Sequence, residues 1–374
     1  MRSSSPPNFT DLTRRSFAAG ILGAPAAWAQ IGRIKKGGLP PAQGEIVRFY
    51  DPITESLIAR LTDLRSNSRL PAPQNRFVSA RGHFLIFSSD RSGSMAPFQL
   101  DLSRGALRQL ARPDRLDPRS LCMDRRERSL YFVDGQTLFE IALSNLKQRT
   151  VAEGVTAFGM GVSGADLVVV KEGRVERLEV GKAAPVAENA TNASIRPGER
   201  GCAFWHNDAG SDTEVGYAPF PPGAAAPKVL VSGAVTNCIW EPSGESLMFL
   251  REMIIPPGEP GGTPVKTAEI HEVMPESGAD SRIAPTSQFA AFAPNANASV
   301  FVGASRSRAQ PTVLLLLRAT GREMTLCEHK ASDAAAVAPV FSPNSQRVYF
   351  QSDREGKWAL YSVNTEKLLE PTDI

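Results

Sequence analysis

The stretch VFSPNSQRVYFQSDREG at residues 340–356 decides the fold, because FVSARGHFLIFSSDRSG at residues 77–93 repeats its plan. Each stretch reads as a short strand, a polar turn and an apolar strand that ends in Phe-x-Ser-Asp-Arg-x-Gly. A third strand-like run follows each of them, at residues 358–364 and 98–102. Proline, asparagine, serine and glycine in the turns favour tight reversals between antiparallel strands. Two such copies near opposite ends of one chain indicate a repeat protein.

Weaker copies of the unit fill the sequence between these two. They lie at residues 121–143, 164–170, 201–205, 239–249 and 292–302. The units recur roughly every 35 to 50 residues, which is the spacing of four-stranded propeller blades. No sustained apolar period of about 3.6 residues indicates helices. Seven units counted from Phe77 therefore predict an all-β protein, a β-propeller of seven blades with four antiparallel strands each.

The segment before the first unit explains how the ring of blades closes. Residues 45–50 (EIVRFY) and 57–61 (LIARL) are strand-like but have no first strand of their own. We expect them to complete the last blade, which would close the ring and cover its edge strands. A two-sheet sandwich is the alternative fold, and it does not explain the repeated Ser-Asp-Arg-x-Gly turn.

The N-terminus has the layout of a twin-arginine signal peptide. Arg14 and Arg15 precede Phe17, a short apolar stretch and the small-x-small ending AWA at residues 27–29. A disordered basic tail is the alternative. The apolar stretch is too short for a membrane span, and no later stretch reaches the roughly 18 apolar residues that a span needs. The predicted organisation is a signal peptide at 1–29, a linker at 30–43 and a propeller at 44–374, located in the periplasm or secreted.

The charge balance argues against a nucleic-acid partner. Three of the 42 basic residues and one of the 39 acidic residues lie in the first 29 residues, so the remainder is nearly neutral. The cysteines, Cys122, Cys202, Cys238 and Cys327, have no zinc-site spacing and lie in or beside apolar runs. Buried free thiols are the main interpretation, and a disulfide is the alternative in an oxidising compartment. We expect a monomer.

The repeat unit resembles that of TolB-type periplasmic propellers, and other motifs are similar to the oligogalacturonate lyase family. Residues 50–52 (YDP) and 59–63 (ARLTD) resemble that family's N-terminal segment. Three further runs fit the first two blades of that family. A fourth fits the family's last inter-blade passage. These runs are QLDL at 99–102, RQL at 108–110, SLYFV at 129–133, and LCEH at 326–329 leading into FSP at 341–343. The resemblance covers most of the chain and is weak between about residues 155 and 285.

The resemblance implies a β-eliminating lyase that cuts pectin fragments with a divalent metal held largely by histidines. Matching the family pattern before Phe341 places Asp333 on a glutamine and Ala336 and Ala338 on two histidines. A third histidine falls on Phe289, and the paired histidines after the N-terminal segment fall on residues such as Arg69 and Leu70. These side chains are poor replacements for imidazole ligands. We therefore expect no metal site and no cofactor, and we assign no catalytic residue.

The remaining candidates for binding in the channel are few. They are His206, Arg251, Glu252, His329 and Asp333. Arg251 and Glu252 follow an apolar strand and would also suit an ordinary ion pair. His206 lies in the polar-aromatic run WHND at 205–208, which suits sugar stacking or a turn network. His83 and His271 lie on strand-like stretches and are interpreted as structural histidines. Residues 253–264, rich in proline and glycine, are expected to form a long loop or lid.

Three functions remain open at this point. The favoured one is a non-catalytic propeller of the bacterial envelope that binds a glycan, such as a uronide oligosaccharide, or an envelope protein. The second is a lyase that cleaves uronide oligomers with a rebuilt, arginine-based site. The third is a TolB-like scaffold within a larger assembly.

Overall fold

A computed structural model describes residues 45–161, 166–179, 182–207, 213–256, 265–286 and 288–369. The predicted signal peptide and linker lie outside these ranges. Within them the chain forms seven antiparallel β-sheets and a single short 3₁₀ helix. No helix in the described ranges has the length and apolar character of a membrane span. The predicted seven-bladed β-propeller is therefore confirmed.

The strands follow one another along the chain as consecutive blades. The described chain opens with β1 (Val47–Tyr50) and β2 (Leu57–Arg60). Blade 1 contains β3 (Ser68–Arg69), β4 (Phe84–Ser89), β5 (Ala96–Asp101) and β6 (Leu107–Gln109). Blade 2 contains β7 (Cys122–Met123), β8 (Ser129–Asp134), β9 (Thr137–Ala142) and β10 (Gln148–Glu153). Blade 3 contains β11 (Val155–Met160), β12 (Leu167–Lys171), β13 (Arg174–Glu179) and β14 (Lys182–Ala187).

The second half of the ring follows the same order. Blade 4 contains β15 (Asn192–Ile195), β16 (Gly201–Asn207), β17 (Thr213–Pro219) and β18 (Lys228–Gly233). Blade 5 contains β19 (Val235–Trp240), β20 (Leu247–Ile255), β21 (Val265–Val273) and β22 (Asp280–Pro285). Blade 6 contains β23 (Phe289–Pro294), β24 (Val300–Ser305), β25 (Thr312–Leu317) and β26 (Arg322–Glu328). Blade 7 begins with the 3₁₀ helix (Ala335–Val337), followed by β27 (Val340–Phe341), β28 (Arg347–Ser352) and β29 (Ala359–Asn364).

The N-terminal strands complete blade 7, as the sequence predicted. Strand β2 pairs antiparallel with β29, with Ala59 opposite Ser362, and supplies the fourth strand of the blade. Strand β1 pairs with β2 and adds a fifth strand on the outside. The first and last parts of the described chain therefore share one sheet, which covers the edge that β29 would otherwise expose.

The apolar core consists of layers between neighbouring blades. Buried residues of blades 3 and 4 form one such layer, and further layers join blades 4 and 5 and blades 5 and 6. Each sheet is thus covered on both faces, so its central strands carry continuous apolar runs in place of strict alternation. Strand β12, with the sequence LVVVK, has four buried residues in a row.

An aspartate near the end of the second strand fixes the segment that enters three of the blades. The aspartate at the end of the second strand accepts a hydrogen bond from a backbone amide of that entering segment in blades 1, 2 and 7. The acceptor and donor pairs are Asp90 with Asn67, Asp134 with Arg115 and Asp353 with Ser332, at 2.8, 2.6 and 2.8 Å. The motif therefore shapes the loops at the channel mouth, because these entering segments lie there.

The four cysteines are free. Cys122, Cys202 and Cys327 are buried, and Cys238 is half-buried at the channel wall. Burial raises the pKa of the Cys122 thiol to about 11. The predicted free thiols are confirmed.

Candidate functional site

Three adjoining cavities share lining residues, and we call them together the funnel. They have volumes of about 430, 760 and 360 Å³, and we call them the channel cavity, the mouth cavity and the side cavity. The channel cavity is lined by residues of the first strands of blades 3, 4 and 5. The mouth cavity lies between blades 5, 6 and 7, and the side cavity lies between blades 7, 1 and 2. Asn237 lines all three, so the cavities adjoin at this residue.

The channel cavity is polar but contains little charge. Its wall combines amide and hydroxyl side chains with two aromatic rings. The amides and hydroxyls belong to Gln74, Asn75, Ser120, Thr191, Asn192, Thr213, Thr236 and Asn237, and the rings to Phe158 and Trp205. Such groups hydrogen-bond to hydroxyls and pack against apolar faces, which is the chemistry of a sugar ring.

Asn237 is held at the junction of the cavities by an irregular backbone. A β-bulge interrupts the pairing of β19 with β20 between Thr236 and Ile239, and Asn237 has a left-handed φ of 53°. Its side-chain amide donates a hydrogen bond of 3.0 Å to the carbonyl of Ala290 in blade 6. Bulges and left-handed non-glycine residues concentrate at functional sites. No pattern in the sequence points to this residue, because a bulge does not follow from apolar periodicity.

Glu252 is bound by two cations in the mouth cavity. Its carboxylate oxygens lie 2.9 Å from a guanidinium nitrogen of Arg306 and 2.6 Å from the ammonium nitrogen of Lys266. Burial opposes ionisation of Glu252, but the hydrogen bonds from Lys266 and Arg306 outweigh it and hold its pKa below the ordinary value. Arg306 also donates to the carbonyl of Phe289 at 2.9 Å. Glu252 is therefore a fixed anion, and is unsuited to act as a base at neutral pH.

His329 is buried in the wall of the mouth cavity, and both of its ring nitrogens are used. Nε2–H donates to the carbonyl of Ser305 at 3.0 Å, and Nδ1 accepts the amide N–H of Ala331 at 3.0 Å. Ser352 of the repeat motif donates to the carbonyl of His329 at 2.6 Å. Burial lowers the pKa of His329, and the nearby Arg354 acts in the same direction. The ring is thus a neutral structural link between blades 6 and 7.

Asp333 lies in the segment that enters blade 7. Its carboxylate accepts the amide N–H of Ala335 at 2.9 Å, at the start of the 3₁₀ helix. The helix ends at Ala338, which has a left-handed φ of 45°. Gln351 supports the far side of this segment by donating to the carbonyl of Ala336 at 2.5 Å. The loop is consequently rigid, and it presents Asp333 to the mouth cavity and Ala336 and Ala338 to the side cavity.

The residues at the expected metal position do not fit a divalent cation. Ala336 and Ala338 line the side cavity with methyl groups, which have no lone pairs to donate. Across the described ranges, no three histidine, cysteine, aspartate or glutamate side chains come together as a set that could hold a metal ion. Phe289 does not face the funnel at all, because its ring is fully buried between blades 5 and 6. A Cβ built on Gly303 would approach that ring to 2.2 Å, so glycine at 303 makes room for it.

Arginines without a carboxylate partner lie around the funnel. In the part of the chain that the structure describes, the guanidinium groups of Arg69, Arg119 and Arg308 form no ion pair and donate no hydrogen bond. Arg69 stacks over the ring of Trp358, with its guanidinium carbon 3.8 Å from the ring centre. Burial lowers the pKa of Arg69, and the charges of Asp353 and Asp333 oppose this. The funnel therefore offers an anionic ligand three guanidinium groups that form no ion pair.

One signal in the sequence would have identified Arg306. Blades 1, 2 and 7 place an aspartate just after or at the end of their second strand, and blade 6 has Arg306 after Ser305 at that position. A guanidinium cannot accept a hydrogen bond from a backbone amide. Arg306 instead forms an ion pair with Glu252 of the neighbouring blade. A break in a repeat marks a position where the repeat's structural role has been replaced.

The five predicted binding residues do not form one site. Glu252, His329 and Asp333 line the mouth cavity together. Arg251 alternates with Glu252 along β20 and lies on the other face of the sheet, where it pairs with Asp280 at 2.5 Å. His206 lies on β16 with Nδ1 3.0 Å from the carbonyl of Asn189, and it lines none of the three cavities.

The predicted loop at residues 253–264 begins later than expected. Strand β20 continues to Ile255 and pairs with β21, with Ile254 opposite Lys266. The β-branched isoleucines extend the hairpin up to Pro256, which cannot donate a ladder hydrogen bond. Residues 257–264 of the predicted loop lie outside the described residues.

Comparisons with known proteins support the fold. No protein-family model matches the sequence, and no curated protein matches it. Among solved structures, an oligogalacturonate lyase in complex with manganese matches with a TM-score of 0.75 and 18% identity, over 87% of this chain and 98% of that one. The oligogalacturonate lyase of Vibrio parahaemolyticus matches with a TM-score of 0.71 and 18% identity, over 87% and 99%. TolB from Acinetobacter baumannii matches with a TM-score of 0.42 and 14% identity, over 76% and 79%. The chain thus has an oligogalacturonate-lyase-like propeller fold.

Proposed function

We propose that this protein is an exported, non-catalytic propeller of the bacterial envelope that binds an acidic oligosaccharide in its funnel. The observation that carries the proposal is the combination of arginines that form no ion pair with a polar channel wall of amides, hydroxyls and aromatic rings, in which Asp117 is the one carboxylate. Arg69, Arg119 and Arg308 would bind carboxylates, since a guanidinium matches the two oxygens of a carboxylate. The amides, hydroxyls and aromatic rings of the channel cavity would bind sugar hydroxyls and ring faces.

Two buried polar atoms support binding in the mouth cavity. Oγ1 of Thr236 and Nε of Arg306 are buried and have no hydrogen-bond partner among the described residues. Both side chains line the mouth cavity. An unsatisfied buried polar group costs about 1–3 kcal/mol, and a shift of these side chains on binding would let a ligand supply the missing partner.

The same site is poorly suited to elimination chemistry. Removing a proton beside a uronate carboxylate needs a free base and a group that neutralises the developing charge. Glu252 is neutralised by Arg306 and Lys266, and His329 uses both nitrogens in hydrogen bonds to the backbone. Asp333 is the remaining carboxylate of the mouth cavity, and it accepts the amide of Ala335. The arrangement favours binding over lyase activity.

Calorimetry with a defined oligogalacturonate tests the proposal, with a neutral galactose oligomer of equal length as the comparison ligand. We expect binding of the acidic oligomer only. Arg119→Gln and Arg308→Gln should each weaken it roughly three- to tenfold, as the loss of a partly solvated charge-assisted hydrogen bond does. Arg126→Gln is the matched control, because Arg126 is exposed and lines none of the three cavities.

The competing functions give different results in the same preparation. Accumulation of unsaturated uronide products, with or without added manganese, would replace the proposal with a lyase. Equal affinity of the wild type for the acidic and the neutral oligomer would contradict the role of the arginines. An envelope protein retained by the wild type in a pull-down, together with no saccharide binding, would favour the scaffold function.

A further inference from the structure

A second polar groove lies on the opposite face of the propeller from the funnel mouth. It has a volume of about 520 Å³ and lies where blade 1 meets blade 7. Its walls are turns between the first and second strands of both blades and the turn between β5 and β6. We call it the closure groove, because these two blades meet where the ring closes. The charged and titratable side chains that face it are Arg81, His83, Asp101, Arg104, Arg347 and Glu366.

The cations of the closure groove form no close ion pair. Among the residues that the structure describes, the guanidinium groups of Arg81, Arg104 and Arg347 form no ion pair and donate no hydrogen bond. Asp101 forms no ion pair with them, although its charge interacts with that of Arg104. Its carboxylate accepts the hydroxyl of Ser103 at 2.6 Å and the amide of Arg104 at 2.9 Å. These hydrogen bonds lower the pKa of Asp101.

Tyr349 gives an independent indication that the groove binds a ligand. Its side chain is only 2% exposed, and it lines the closure groove from the core of blade 7. Its hydroxyl has no hydrogen-bond partner in the described part of the chain. Burial raises the pKa of Tyr349 to about 12, so the phenol remains a hydrogen-bond donor at neutral pH. The hydroxyl is not among the fully buried polar atoms without a partner, so it is open to the groove, where it can donate to a ligand.

We propose that the closure groove binds a phosphate group through Arg81, Arg104, Arg347 and the hydroxyl of Tyr349. Three guanidinium forks and a phenol provide more donors than the two oxygens of a carboxylate can accept, whereas a phosphate monoester has three terminal oxygens. The volume leaves room for the molecule that carries the phosphate. That carrier is a free phosphorylated small molecule or the headgroup of a phosphatidic acid, and the two share the same recognition chemistry. The carboxylate of Glu366 weakens the site by repulsion.

Calorimetric titration with glycerol 3-phosphate at constant ionic strength tests the site. We expect saturable binding by the wild type. Tyr349→Phe keeps the buried ring and should lower the affinity about tenfold, and Arg347→Gln at least as much, as loss of a hydrogen bond to a charged group does. Glu366→Gln should raise the affinity a few-fold. Arg126→Gln is the control and should leave phosphate binding unchanged, because Arg126 is exposed and does not line the closure groove.

Flotation with vesicles distinguishes the two carriers. Binding to phosphatidylcholine vesicles that contain phosphatidic acid, lost in Tyr349→Phe and Arg347→Gln, would identify a lipid headgroup even if glycerol 3-phosphate binds weakly. Thermal unfolding of Tyr349→Phe close to that of the wild type would show that the fold is intact. The proposal is overturned if neither probe binds, or if both variants bind phosphate as tightly as the wild type.

Discussion

Acidification is expected to destabilise this protein through His329. The ring is 1% exposed, and its neutral form makes two hydrogen bonds to the backbone. Protonation would place an N–H at Nδ1 against the amide N–H of Ala331, and it would bury a charge. The protonated ring is therefore disfavoured in the folded protein, which agrees with the lowered pKa that burial and Arg354 cause. Asp353 opposes this shift without reversing it.

The sign of the pH effect follows from this lowered pKa. In the unfolded chain a histidine titrates near 6.5, so the unfolded state takes up a proton before the folded state does. The contribution of His329 is fully present above about pH 6.5 and is lost as the pH falls toward the folded-state pKa. One proton can change stability by at most about 1.4 kcal/mol per pH unit. Between pH 6.5 and pH 5.0 the loss through His329 is therefore at most about 2 kcal/mol.

Urea unfolding at several pH values from 7.5 to 5.0 measures this loss. His329→Gln is the informative variant, because an amide can donate to Ser305 and accept from Ala331 but does not titrate. We expect it to be destabilised by about 1–2 kcal/mol at pH 7.5 and to lose less stability in acid than the wild type. Gln351→Ala is the control, since it removes two nearby hydrogen bonds, one accepted from the amide of Leu70 and one donated to the carbonyl of Ala336, and no titrating group. It should shift the whole curve without changing its slope. Parallel curves for the wild type and His329→Gln would refute the reasoning.

Three further predictions concern closure, metal binding and export. Deleting residues 45–61 removes β1 and β2 from blade 7 and should expose the edge of β29. We expect aggregation, or a free energy of unfolding in urea that is lower by several kcal/mol, and an unchanged value would contradict the closure. Purified protein should contain no stoichiometric transition metal, and a chelator should not shift its thermal midpoint, because Ala336 and Ala338 supply no ligand atoms; about one equivalent of metal by elemental analysis would contradict this. Changing Arg14 and Arg15 together to lysine should retain the precursor in the cytoplasm, as cell fractionation would reveal, and normal export would contradict the signal assignment.

The repeats in the sequence were sufficient to predict the architecture. Residues 77–93 and 340–356 each contain a complete repeat unit. The strands and turns of such a unit can be predicted without knowledge of its neighbours. The two strands at residues 45–61 do not belong to a complete blade of their own. Pairing with the last blade satisfies their open edges. The prediction of the fold and of its closure was correct because both depend on hydrogen-bonding patterns that the sequence carries locally.

The funnel depended on contacts between blades, which the sequence does not encode locally. Glu252, His329 and Asp333 were predicted separately, and only the ring brings them to one cavity. Arg251 was predicted beside Glu252, but neighbouring residues of a strand point to opposite faces of the sheet. The sequence alone suggested that metal ligands are missing at Ala336 and Ala338, since the residue type decides whether a lone pair exists. Which side chains meet across the funnel was decided by the tertiary structure, because those contacts join blades that are far apart in the chain.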